Sequence, residues 1–231
     1  SKPASREFPE WIVVSTDNTI TIQTIHAEMG QGASTTAAQL VAEEMDAAWE
    51  NVRVAPMRVA LPALRAGRYG RSVTSSSGGV RLSQKDLRLV GAQVRRMLLV
   101  AASRRLGVSA DELEVREGRI SHRTSLRSVT FGEIATAAAE VPIPAPSEVR
   151  LKSPDEWTII GKPVFRIDSF EKVRGRTRFG TDLRLPGQLC AALLDPPAPG
   201  HRPDVLNRSE VLRGQGVRDV MDFPWGVIVL A

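Results

Sequence analysis

The 231-residue chain has one cysteine, Cys190, and one tyrosine, and aromatic residues make up only 5% of it. A single thiol excludes an internal disulfide, a four-cysteine zinc site and a self-contained iron–sulfur cluster. The shortage of rings argues against a nucleic-acid platform, because Arg95-Arg96 and Arg104-Arg105 have no interleaved aromatics on which bases would stack. Long apolar runs are missing too: Met97 to Ala102 and Val227 to Ala231 fall far short of the about 18–20 residues that span a bilayer. Nor is the charge extreme. Lys and Arg total 31 against 26 Asp and Glu, a formal charge of +5 with a pI near 10.0, which is a mild bias toward anions. Ser1 stands where an initiator Met would be and no charged-then-apolar signal follows, which predicts a processed or trimmed start. Gly226 to Ala231 reads as a buried strand with no turn or cap after it, as though the polypeptide stops inside an element.

What is present is 42% hydrophobic and 25% charged, enough for a globular α+β protein. Trp11 to Ser15 and Thr19 to Ile25 flank the turn pair Asp17-Asn18 and predict a hairpin. After Gly30-Gln31-Gly32, Ser34 or Thr35 is placed to cap a helix whose apolar positions Ala37, Val41, Met45 and Ala48 carry it to about Trp49. Val52 to Val59 predicts a strand, and the glycine- and serine-rich stretch Ala66 to Gly79 a loop. A long helix follows with Ser83 as cap, an apolar stripe through Leu87, Val90, Val94, Met97 and Ala101, and Gly107 as its stop. Ser109-x-x-Glu112 and Thr130-x-x-Glu133 have capping-box spacing, opening a turn before the strand Leu113 to Arg116 and a helix to about Glu140. Prolines 142, 144, 146 and 154 mark a connector that divides the chain into residues 1–150 and 151–231. Beyond it short strands are predicted at Trp157 to Ile160, Arg178 to Phe179, Gln188 to Leu194 and Gly226 to Leu230, with a helix near Arg208 to Arg213.

Two stretches carry candidate chemistry. In Glu28-Met29-Gly30-Gln31-Gly32-Ala33-Ser34, between strand and helix, two glycines admit a ligand close to the backbone and the free amides of a helix start favour a negative group. Gln31 adds an amide that both donates and accepts. A glycine turn that merely reverses the chain is the other reading. The second stretch, Gly67 to Gly79, offers hydroxyl and backbone donors to an anion with Arg71 as a charged partner; a surface linker is its alternative. Two anion-competent loops that each enter a helix point together to a phosphate-bearing cofactor. His26, His122 and His201 lie far apart with no metal-ligand spacing, Cys190 reads as inert core, and Glu43, Glu44 and Asp46 read as a solvated helix face.

Taken in order, these residues resemble the molybdenum-binding large subunit of the xanthine dehydrogenase and aldehyde oxidase family, in the branch typified by isoquinoline 1-oxidoreductase β subunits. Phe8-Pro9-Glu10-Trp11-Ile12 resembles that branch's opening strand, and Glu28-Met29-Gly30-Gln31-Gly32 matches the family's cofactor-contact loop. Val41-Ala42-Glu43-Glu44-Met45-Asp46, Trp49 and Val52-Arg53-Val54 resemble its next helix and strand. Ile160-Gly161-Lys162-Pro163, Arg166-x-Asp168, Lys172-Val173-x-Gly175, Phe179-Gly180-x-Asp182-x-Arg184-x-Pro186-Gly187 and Pro196-Pro197-Ala198-Pro199-Gly200 are similar to the start of its α/β hammerhead domain.

The resemblance implies part of a molybdopterin-binding domain in residues 1–150 and an incomplete hammerhead domain in 151–231. It implies molybdopterin, as the cytosine dinucleotide with Mo, contacted by Met29, Gly30, Gln31 and Gly32. In the serine loop two alignments stand: one brings Arg71 and Ser72 to the cofactor, the other Ser76 and Ser77. It further implies hydroxylation of an aldehyde or N-heteroaromatic ring with oxygen from water. The catalytic base lies in segments this chain does not contain, and Glu28 is not promoted to that role. Expected partners are the remainder of the large subunit, a small subunit carrying [2Fe–2S] clusters, and a cytochrome c or flavin acceptor subunit. Both periplasm, after twin-arginine export, and cytoplasm fit the resemblance. A non-catalytic assembly or anion-binding module that keeps the fold is the competing reading.

Overall fold

The computed structural model describes residues 5–7 (backbone alone), 12–56, 74–205 and 207–231. The chain forms two compact units, Ser1–Gly175 and Arg176–Ala231.

In the first unit the strands β1 (Ser5–Glu7), β2 (Ile12–Ser15), β3 (Ile20–Thr24) and β4 (Val52–Pro56) form one sheet in that order. β1, β2 and β3 are antiparallel neighbours, and β4 returns parallel to β3 after the helix α1 (Ala33–Met45). The predicted hairpin turn is present. Asn18 adopts the left-handed conformation, φ 68°, and its side chain accepts from Gly132 N at 2.8 Å, which ties the turn to the next helical layer. A second sheet, β5 (Leu113–Arg116), β6 (Arg119–His122) and β7 (Ser128–Thr130), is antiparallel throughout. Over the sheets lie α1, the long helix α2 (Gly78–Leu106) and α3 (Phe131–Ala139). Ile12, Ile22, Val41, Met45, Leu98, Ile120 and Phe131 are all buried in the shared core. No helix among the described residues is long and apolar enough to cross a membrane.

Several boundaries differ from the sequence expectation for identifiable reasons. α2 begins at Gly78, not after Ser83, whose hydroxyl instead donates back to Gly79 O inside the helix. Gly107 ends it as expected, with φ 66°. α1 stops four residues before Trp49 because Asp46 turns left-handed: Asp46 N bonds Glu43 O and Ala47 N bonds Ala42 O, a Schellman arrangement usually closed by glycine. Both capping-box spacings open helical turns; at Thr130 both reciprocal bonds form. Residues 8–11 and 57–73, which include all but Ile12 of the resemblance's opening strand, the end of the predicted Val52 to Val59 strand and most of the serine loop, lie outside the described residues.

The acidic positions of α1 require the largest correction. Glu43 and Glu44 are 0% and 1% exposed, not solvated. The Glu43 carboxylate accepts from Thr158 N at 3.0 Å, Ile159 N at 2.7 Å and Ile160 N at 2.9 Å, and from Lys152 Nζ at 2.7 Å. Glu44 accepts from Lys152 N at 3.0 Å and from Arg88 of α2 at 2.7 Å, and Asp46 pairs with Lys152 at 2.5 Å and with Arg95 at 2.8 Å. Because Glu43 takes these amides, Trp157 to Ile160 forms no strand, and residues 151–175 pack with the first unit. The compact units therefore part at Gly175, not at the proline connector near residue 150. α1 and α2 meet at backbone distance: a Cβ on Gly91 would lie 2.6 Å from Val41 O and 2.9 Å from Glu44 Cβ.

The second unit is a three-stranded antiparallel sheet, ordered β8 (Ala191–Leu194), β10 (Gly226–Leu230), β9 (Asp219–Phe223), with a short helix at Arg208–Val211. β10, expected to wait for a partner, is already paired on both edges. β9 was not foreseen. Arg178 to Phe179 forms no strand; Phe179 opens the 3-10 turn Gly180–Asp182. Cys190 is exposed, not core, and its backbone pairs with Ala231.

Two outcomes follow from the packing. Glu43→Gln is expected to cost about 3–5 kcal/mol in urea unfolding, the order found when one partner of a buried pair is removed. Burial opposes ionisation of Glu43, but Lys152 and the Ile160, Ile159 and Thr158 amides outweigh it and hold its pKa below the ordinary 4.5. Its contribution is thus complete above that pH and lost as pH falls through the lower folded-state value, so the substitution should flatten the acid limb of stability against pH. Gly91→Ala is expected to cost about 1–3 kcal/mol by forcing α1 and α2 apart, read as a lower thermal midpoint.

Candidate functional site

The glycine-rich loop joins β3 to α1. Gly30 and Gly32 have φ of 102° and 82°, which glycine adopts without strain, and a Cβ on Gly30 would meet nothing within 4 Å. The helix start, however, is not free. Glu28 Oε1 accepts from Gly30 N at 2.8 Å and Gly32 N at 3.0 Å, and Oε2 accepts from Ser34 N at 3.1 Å. A carboxylate of the chain itself takes the Gly32 and Ser34 amides at the start of α1, neither Ser34 nor Thr35 is the cap, and the negative group at that helix start is Glu28. Burial pushes the Glu28 pKa up, but the Gly32, Ser34 and Gly30 amides together hold it below the ordinary value. Gln31 is likewise engaged: its Oε1 accepts from Met29 N at 2.6 Å and its Nε2 donates to Ala27 O at 2.9 Å, bracing the loop.

The second loop comes beside the first. Thr74 Oγ1 accepts from Ala27 N at 2.9 Å, and Ser76 and Ser77, φ 52° and 54°, lead into α2. No side chain caps that helix. Between the loops lies a cavity of about 400 Å³ whose lining includes Met29, Gln31, Thr36, Ser76, Ser77 and Gly79. The structure thus brings four of the expected residues, Met29, Gln31, Ser76 and Ser77, to one cavity. Gly30 and Gly32 shape its loop without lining it. Arg71 and Ser72 lie outside the described residues.

Sequence reasoning passed over two contributors. The His26 ring lies 3.6 Å from where a Cβ on Gly79 would sit, and its two nitrogens are buried with no hydrogen-bond partner among the described residues. Its position just before the Glu28–Gly32 run was the available signal. Arg166, known from sequence only as part of an Arg-x-Asp pair, donates to Gly30 O at 2.7 Å. His122, in contrast, is a structural residue held between Ser125 at 2.7 Å and Glu112 at 3.0 Å.

Removing the internal cap should register locally. Glu28→Ala is expected to cost about 0.5–2 kcal/mol in urea unfolding, the range for a lost helix cap. Glu28→Gln, which keeps an acceptor but not the charge, should reduce the loss of stability seen below pH 4.5, because the native carboxylate's stabilisation disappears as pH falls through its lowered pKa.

The family model described as a molybdopterin cofactor-binding domain matches residues 3–170. Among curated relatives, the β chain of the isoquinoline 1-oxidoreductase of Brevundimonas diminuta is 31% identical, covering 95% of this chain and 32% of that protein. A subunit of the nicotinate dehydrogenase of Pseudomonas putida is 28% identical over 85% of this chain and 16% of its own length. A membrane-bound aldehyde dehydrogenase of Gluconacetobacter polyoxogenes, whose name carries pyrroloquinoline quinone, is 28% identical over 81% of this chain and 24% of its own. The chain therefore spans about a third or less of the length of these relatives. With the family model running from the opening strands through Arg166, the chain belongs to the molybdopterin cofactor-binding domain family.

Proposed function

We propose that this chain is part of the large subunit of a molybdenum hydroxylase, and that the cavity between its two loops holds part of molybdopterin in the cytosine dinucleotide form. The observation that carries the reading is the convergence on one cavity of the start of α2, which has no side-chain cap, the hydroxyls of Ser76 and Ser77, and the Gln31 loop. A helix start that lacks a side-chain cap, its first amide bonded only to the Ser75 carbonyl, beside serine hydroxyls fits the phosphate-bearing portion of such a cofactor. α2 is assigned that role; α1 is not, since the Glu28 carboxylate already sits on its Gly32 and Ser34 amides.

When bound, the cofactor supplies the oxidation–reduction chemistry of molybdenum. The chain's own residues bind and orient: Ser76 and Ser77 donate from the α2 side, Met29 and Gln31 form the opposite wall, and Thr74 holds the loops together through Ala27 N. No residue of this chain is assigned as catalytic base. The reaction proposed for the whole protein is oxidative hydroxylation of an aldehyde or N-heteroaromatic compound with water as the oxygen source. The second unit is assigned to the beginning of a hammerhead domain, and the iron–sulfur clusters to a partner subunit.

Metal and pterin analysis of the purified full-length protein, in the complex in which it occurs, tests the reading. Molybdenum, a fluorescent pterin and CMP released on hydrolysis are expected. Pyrroloquinoline quinone, or neither cofactor, would sink it, the latter favouring an assembly module. Gln31→Ala should lower molybdenum and pterin affinity about 2- to 10-fold, the factor for one lost hydrogen-bonding side chain, with the fold intact by circular dichroism.

A further inference from the structure

Gly30 is the least constrained point of the cofactor loop by sterics, with open space where a Cβ would lie, yet its peptide is held from both sides. Glu28 takes its N–H, and the Arg166 guanidinium, 136 positions along the chain, takes its C=O. The Arg166 fork is itself aimed. Nε donates to Asp168 Oδ1 at 3.0 Å and Nη2 to Asp168 Oδ2 at 2.8 Å, which leaves Nη1 directed at Gly30 O. Lys172, one turn on, pairs with the same Asp168 carboxylate at 2.5 Å. The Arg166 hydrogen bond, then Lys172, outweigh the opposing effect of burial and hold the Asp168 pKa well below the usual carboxylate range. The segment that carries Arg166 is fastened to α1 at its two ends. Glu43 receives the Thr158, Ile159 and Ile160 amides, and Thr35 Oγ1 accepts from Ile167 N at 3.2 Å.

We propose that Arg166 is a positioning residue for the cofactor loop: aimed by Asp168 and Lys172, it fixes the Gly30 peptide and thereby the disposition of Met29 and Gln31 toward the cavity. Arg166 is 38% exposed, so its ion pairs add little to global stability. What a planar bidentate fork adds is direction, which a lysine cannot reproduce. As it concerns binding of the cofactor, the inference rests on the molybdopterin reading above; as it concerns the loop, it stands on the contacts alone.

Hydrogen–deuterium exchange of the Met29–Ser34 amides in the full-length protein, read with pterin release on dilution, separates the two. Arg166→Gln is expected to raise exchange there about 10-fold, as for loss of a charge-assisted hydrogen bond, and to speed pterin release, while exchange in β2 and β6 is unchanged. Arg166→Lys should recover part of both. Asp168→Asn, which touches no atom of the loop, should reproduce the direction of the effect by releasing the guanidinium. Unchanged loop exchange in both Arg166→Gln and Asp168→Asn overturns the positioning role. Faster exchange with unaltered pterin release overturns its link to the cofactor. A wild-type protein that carries no pterin overturns the molybdopterin reading and leaves exchange to decide the positioning.

Discussion

One buried carboxylate organises the first unit. Glu43 is fully enclosed, and a charge in that position is tolerable only if its oxygens are filled. Lys152, inside the proline connector, and the amides at 158, 159 and 160, just beyond it, fill them. The pairing therefore does more than neutralise a helix residue. It brings residues 151–175 back onto α1 within the first compact unit and sets the point from which Arg166 reaches the glycine-rich loop. Glu44 and Asp46 extend the network to Arg88 and Arg95, so α2 is joined to the same centre.

Glu28 repeats the device at the other end of α1, where a carboxylate closes backbone amides instead of a hydroxyl cap. The two glutamates divide the labour of the helix. One builds the loop at its start; the other fastens the segment that steadies that loop. The consequence for ligand binding is an asymmetry between two helix starts that look equivalent in sequence. Glu28 holds the Gly32 and Ser34 amides at the start of α1, while α2 borders the cavity without a side-chain cap. The glycines serve geometry, allowing the positive φ values that turn Gln31 back onto Ala27 and Met29.

Local rules explain what was legible in advance. The Asp17-Asn18 hairpin turn, the apolar stripe of α2, its stop at Gly107 and the Thr130–Glu133 capping box each depend on residues within a few positions of one another, and each is present. Composition marked the glycine and serine loops separately; that Thr74 and Ala27 join them is a tertiary contact. Errors arose where a long-range partner overrode local appearance: Trp157 to Ile160 has strand composition, but its amides are claimed by a glutamate more than a hundred positions away.

By itself the sequence determined the α+β class, the order of helices and the two loops, and it carried the family resemblance in an ordered set of short motifs, because these are properties of neighbouring residues. Tertiary structure alone decided that Glu43 and Glu44 are interior, that the compact unit extends to Gly175, that Glu28 takes two amides at one helix start while the other has no side-chain cap, and that Arg166 reaches the Gly30 carbonyl. The physical reason is common to all four. A charged side chain carries no mark in its own neighbourhood of whether water or distant backbone amides will satisfy it, and only the closed fold supplies the partner.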